Sequence, residues 1–259
     1  MYTSSPKLVN ARPRMDRARL LRLAPVGMVF ARFGFALLAQ ALLAGLLLVQ
    51  GKAHSWQAAA PWWTVYGTLI DIGSLLALTW LTQQEGIHLL ALIGFDRRLL
   101  ARDLMLGLGL TVIYVALGAV GGTLLTLALY GTTQPPMSAM GGLPWWATLY
   151  SLLIWPVLWG ITEEMTYQGY ALPRLQALTG RSWQAILIVA VGFGVQHIAL
   201  PCLLAGKFML WRFGPSFLIG LVVPLFYLRL RRLPPLIIAH WASNLLSVFL
   251  LAVLPAIQR

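Results

Sequence analysis

Ile161-Thr162-Glu163-Glu164-Met165-Thr166-Tyr167-Gln168 places two adjacent carboxylates inside a long apolar run. The whole chain contains only seven acidic residues. Between Pro144 and Gly160, tryptophans aside, only Thr148, Tyr150 and Ser151 carry polar side chains. A charged side chain at the centre of a bilayer costs about 2.5 to 3.5 kcal/mol even on the insertion scale. Two carboxylates at such a place mark a functional site, whose partners should lie on other apolar segments.

The 259 residues are 59% hydrophobic and 10% charged, with a mean hydropathy of +0.77. Soluble domains carry roughly 25% charged residues. The fold class expected is therefore all-α, a polytopic transmembrane helix bundle. A net charge of +12 would suggest nucleic acid if the protein were soluble. Here most basic residues fall in short segments between apolar spans, where they set topology. The partner implied is the lipid bilayer and not nucleic acid. Cys202 is the lone cysteine, which excludes an intramolecular disulfide. No short apolar region with a small-residue cleavage site follows the basic start, so no removable signal peptide is expected.

Residues 1–32 carry Lys7, Arg12, Arg14, Arg17, Arg19, Arg22 and Arg32 and read as a basic cytoplasmic or interfacial segment. Residues 33–259 read as a single transmembrane domain of about seven spans. These are placed near 33–50, 62–81, 104–130, from 145 into the glutamates, 183–200, 211–227 and 236–254. Arg97, Arg98 and Arg102, then Arg174 and Arg181, then Arg229, Arg231 and Arg232 all fall on one side. That regularity sets the N-terminus in the cytoplasm and Arg259 outside. The stretch from Gly131 to Gly142, uncharged and rich in Pro and Gly, reads as an external loop. The glycines of Gly118-Ala119-Val120-Gly121-Gly122 read as a surface for close helix packing.

Of the four histidines, His54 and His88 fall in expected loops, whereas His197 and His240 lie inside apolar helices. Residues four apart on a helix are neighbours, so Phe193 shares a face with His197, and His240 with Asn244. At about 1.5 Å of rise per residue, Glu163 lies roughly 16 Å in from Arg174, His240 roughly 12 Å from Arg232 and His197 roughly 24 Å from Arg181. The helices can bring these groups to one level, below the cytoplasmic surface and within the bundle.

These residues resemble the CAAX protease and bacteriocin-processing (CPBP, Abi) family of intramembrane endopeptidases. The family pattern is E-E-x-x-x-R, then F-x-x-x-H, then H-x-x-x-N or D, on successive core helices. Glu163-Glu164, Phe193 to His197 and His240 to Asn244 match it in type, spacing and order, over about residues 144–251. Gln168 stands where the family has arginine. It can donate a hydrogen bond to Glu164 without neutralising it, so Gln168→Leu is expected to leave Glu164 unpaired.

The resemblance implies amide hydrolysis of a membrane-proximal peptide or protein tail, in a bacterial cytoplasmic membrane, with the first glutamate essential. A carboxylate in a low-dielectric pocket holds a proton more readily, which suits a general base acting on water. Glu163 with His197 would hold and deprotonate that water. His240 and Asn244 would donate to the developing oxyanion, and Glu164, Gln168 and Phe193 would support the site. Glu163, His197 and His240 could equally supply three ligands to a catalytic Zn2+, so metal-dependent and metal-free glutamate mechanisms both stay open. Two other classes remain: a proton-coupled transporter using Glu163 and the histidines as a relay, and a non-catalytic membrane scaffold or immunity protein retaining the fold. The transporter is disfavoured by the absence of repeated halves.

Overall fold

The computed structural model describes residues 12–134, 136 and 143–250, with side chains described from residue 19 onward. The chain folds into α1 (Arg12–Val49), a short α2 (Ser55–Ala59), α3 (Trp63–Glu85), α4 (Leu100–Tyr130), α5 (Trp145–Leu153) and α6 (Trp155–Glu164). A π-helical stretch (Met165–Ala171) leads into α7 (Leu172–Thr179), α8 (Ser182–Ile198), α9 (Gly206–Leu230) and α10 (Pro234–Val248). No strand occurs among the described residues. The expected all-helical bundle is what the chain forms. Its interior is built of two hydrophobic clusters that enclose buried charged groups such as Arg32, Asp71 and Glu163, while large apolar side chains such as Leu76, Met105 and Val112 are exposed on the outside.

The spans differ in continuity from the sequence reading. Arg19–Val49, Ser55–Glu85, Leu89–Tyr130 and Gly206–Leu230 are long and apolar enough to cross a membrane, and α8 is a shorter apolar helix. The segment from Trp145 to Thr179 is instead broken into α5, α6, the π-helical stretch and α7. Pro156 and Pro173 sit in the first turns of α6 and α7. A proline lacks the N–H that would continue the preceding helix, so each helix starts afresh there. Of the seventh span, placed at 236–254, the described part is α10, Pro234–Val248, and a π-helical turn at residues 249–250. Arg259 and most of the 131–142 loop lie outside the described residues.

The first span also begins much earlier than residue 33, because α1 is one helix from Arg12. Arg32, grouped in the sequence reading with the cytoplasmic basic segment, has 0% exposure. The helix carries it past the interface into the bundle, where it meets carboxylates.

Cross-links define two ends. At one, the Arg174 guanidinium donates through Nε to Glu85 at 2.8 and 3.0 Å, and Arg232 pairs with Asp103. At the other, Trp211 Nε1 donates to Thr126 Oγ1 at 2.8 Å and Trp56 Nε1 to the Cys202 carbonyl at 2.7 Å. Arg174 and Arg232, from two of the basic clusters that set the expected topology, are thus paired with carboxylates at the first end.

Gly160 on α6 lets the glutamate-bearing segment approach α10. A Cβ there would stand 3.3 Å from the Trp241 nitrogen and 3.4 Å from the Ile237 carbonyl oxygen, so a methyl group would fit only tightly at this crossing. Of the 118–122 glycines, only Gly121 packs closely, against Pro215 and Leu218 of α9; Gly118 and Gly122 border open space.

Candidate active site

The last turn of α6 carries Glu163 and Glu164, both buried. The π-helical turns that follow occupy the buried centre, with Met165, Tyr167 and Tyr170 packed in the main core. Such wide turns recur at functional sites because they re-aim the side chains beside them.

His240 from α10 lies between the two carboxylates. Its Nδ1 is 2.9 Å from Glu164 Oε1, and its Nε2 is 3.1 Å from Glu163 Oε2. The second contact lies within ion-pair range but outside hydrogen-bond geometry, so Glu163 Oε2 keeps no hydrogen-bond partner. Glu164 Oε1 also accepts from the Tyr114 hydroxyl of α4 at 2.8 Å. The other oxygen of Glu163 accepts from Gln196 Nε2 of α8 and lies 3.7 Å from Arg32 Nη2.

His197 stands one helical turn beyond Phe193. Its Nδ1 is 2.7 Å from the Phe193 carbonyl oxygen. That oxygen can only accept, so Nδ1 carries the hydrogen and the neutral ring keeps its lone pair on Nε2. The Phe193 ring lies between the histidines, with centroids 4.9 Å from His197 and 6.4 Å from His240. The spacing read from sequence thus places His197, Phe193 and His240 in one layer.

A cavity of about 300 Å³ adjoins this layer, walled by Trp63, Trp155, Trp159, His197, Arg212 and Asn244, among others. Its lining includes His197 and Asn244, while Glu163, Glu164 and His240 are buried beside them in the bundle. Trp63 opens α3, Arg212 falls in the first turns of α9 and Asn244 in the last turns of α10. The cavity therefore occupies the half of the bundle away from the basic ends.

Two expectations change on contact with the geometry. Gln168 is buried, but its Oε1 has no partner, and Glu164 is held by Tyr114 and His240 instead. The π-helical turn beginning at Met165 alters the i+4 register on which the Gln168 expectation rests. His240 is engaged with both carboxylates, whereas Asn244 Nδ2 is buried without a partner. As for a metal, the described residues hold no group of three or more His, Cys, Asp or Glu placed to bind one. Glu163, His197 and His240 do not meet as a ligand set. His54 and His88 are exposed, as read.

Residues the sequence reading passed over are Arg32, Asp71, Tyr114, Gln196 and Arg212. Asp71 stood inside an expected span, so the rule that drew attention to Glu163 applied equally to it. Arg212 is half-buried, donates through Nε to the His197 carbonyl at 3.3 Å, and makes no ion pair among the described residues.

A helical membrane bundle enclosing a glutamate pair bridged by histidine is thus what the chain builds. Residues 144–246 match the model of a family described as type II CAAX prenyl endopeptidase Rce1-like, in agreement with the resemblance carried by the motifs. The match supports a membrane endopeptidase of that family. No curated protein and no solved structure matches the chain.

Proposed function

We propose that the protein hydrolyses a peptide bond in a membrane-proximal peptide or protein tail, using Glu163 as the base that activates water. The observation that carries this reading is the unequal state of the Glu163 oxygens. Oε1 is occupied by Gln196, whereas Oε2 faces His240 Nε2 at 3.1 Å without a hydrogen bond. Glu163 Oε2 would take a proton from water while His197 Nε2 accepts the other hydrogen and orients it. The water oxygen would add to the peptide carbonyl carbon. Asn244 Nδ2–H, without a hydrogen-bond partner among the described residues, would donate to the oxyanion that forms. Collapse of that intermediate breaks the C–N bond, and protonated Glu163 returns its proton to the departing amine. His240 holds the two carboxylates side by side.

The test is cleavage of a peptide library, prenylated and unprenylated tails included, by the purified protein in detergent. Glu163→Gln should remove cleavage while the protein still purifies as a folded helical species, because an amide cannot take the proton. Equal cleavage by Glu163→Gln would overturn the assignment.

A further inference from the structure

We infer that Arg32, at mid-length of the first helix and far outside the matched region, is a positioning residue that selects which oxygen of Glu163 is left free. The inference rests on the reading of Glu163 as the base. Arg32 is fully buried, and its guanidinium lies 4.3 Å from the Trp159 ring centroid. Nη1 donates to Asp71 Oδ1 at 3.0 Å and to Ser74 Oγ at 3.3 Å, both on α3. Nε donates to Gln196 Oε1 at 2.9 Å, and Gln196 Nε2 in turn donates to Glu163 Oε1.

The directionality of this chain follows from the inventory of donors and acceptors. Guanidinium has donors only, and an ionised carboxylate acceptors only. A side-chain amide between them has one favourable orientation, oxygen towards Arg32 and nitrogen towards Glu163. The flipped amide would set N–H against N–H and oxygen against carboxylate oxygen. Asp71, Ser74 and Trp159 fix the plane of the fork, and the fork fixes the amide. The amide then occupies Glu163 Oε1, so Oε2 is the oxygen left beside His240. A lysine has one compact ammonium in place of the planar fork and cannot reproduce the paired directions.

The test uses the full-length protein in detergent with 15N-glutamine labelling, the Gln196 amide resonance being assigned by its loss in Gln196→Met. In Arg32→Lys that resonance should move, and kcat should fall about 100-fold, the scale of a misplacement near 1 Å, with KM unchanged. Asp71→Asn keeps the Nε–Gln196 bond and should keep most of its kcat. Gln196→Met should lose as much kcat as Arg32→Lys, and the double variant no more than either alone. An unmoved Gln196 resonance in Arg32→Lys, or equal kcat losses in Arg32→Lys and Asp71→Asn, would reduce Arg32 to a structural ion pair and overturn the inference. If Arg32→Lys fails to fold, full kcat in Gln196→Met overturns it instead. A resonance that moves while Glu163→Gln remains active would sink the base assignment and leave the hold of Arg32 on Gln196 standing.

Discussion

The two polar regions of the bundle are opposites. Around Glu163 and Glu164 opposite charges and donors converge: Arg32, Gln196, His240 and Tyr114 surround two carboxylates with almost no exposure. The atoms without a hydrogen bond there include an acceptor, Oε2, on each glutamate. Along the cavity wall there are donors without acceptors. Among the described residues, Asn244 Nδ2 and the indole nitrogens of Trp63 and Trp155 have no hydrogen-bond partner, and Arg212 faces no carboxylate. Buried polar groups are normally satisfied, so each exception asks for an explanation. Under the proposed hydrolysis the first region would hold the base ready, and the second would meet the acceptors of a bound peptide.

Changes in the two regions should separate stability from activity. The largest expected effect is His240→Ala, which leaves two adjacent buried carboxylates without the imidazole between them. Breaking a buried ion pair in this way typically costs about 3 to 5 kcal/mol, so thermal unfolding in detergent should occur far below wild type, with cleavage lost. A normal melting temperature would mean the carboxylates do not depend on His240.

Asn244→Leu should do the reverse. Removing one oxyanion donor lowers kcat by roughly 100- to 1,000-fold. Stability should hardly change, because the Nδ2 atom has no partner to lose. Loss of stability without loss of kcat would place Asn244 in the structural region.

Gly160→Ala sharpens the comparison by moving α6 away from α10. Filling a tight contact costs about 1 to 3 kcal/mol, and cleavage should fall by more than the unfolded fraction explains, since Glu163 and Glu164 shift from His240. Normal activity at reduced stability would detach that crossing from the site.

The smallest effect is expected for Gln168→Leu. Glu164 does not rely on Gln168, and replacing a polar group by an apolar one of similar shape can be nearly neutral. Melting temperature and cleavage should both stay close to wild type; a clear loss in either would restore Gln168 to the site.

What the sequence disclosed follows from distance along the chain. Glu163-Glu164, Phe193 with His197, and His240 with Asn244 are each patterns within one helix, and helical periodicity makes such pairs legible. The apolar runs likewise announced the bundle. Arg32 was hidden by its company, since six other basic residues precede it and drew it into their group. Its bond to Gln196 spans 164 positions and that of Tyr114 to Glu164 spans 50, and no local pattern encodes such pairings. The break at Pro156 was visible as a proline. The wide turn at Met165 was not, because its residues have no composition that separates five-residue from four-residue spacing.

The 39 positions between Arg32 and Asp71 bear on how the protein is made. A lone arginine released into lipid is penalised by about 2.5 to 3.5 kcal/mol. Asp71, on the next long helix, is synthesised soon after it and can join it as an ion pair before the rest of the bundle exists. Gln196 and Glu163 leave the ribosome much later and would meet a guanidinium already paired. The first two long helices would thus enter as a charge-matched hairpin, and the glutamates would be assembled onto it.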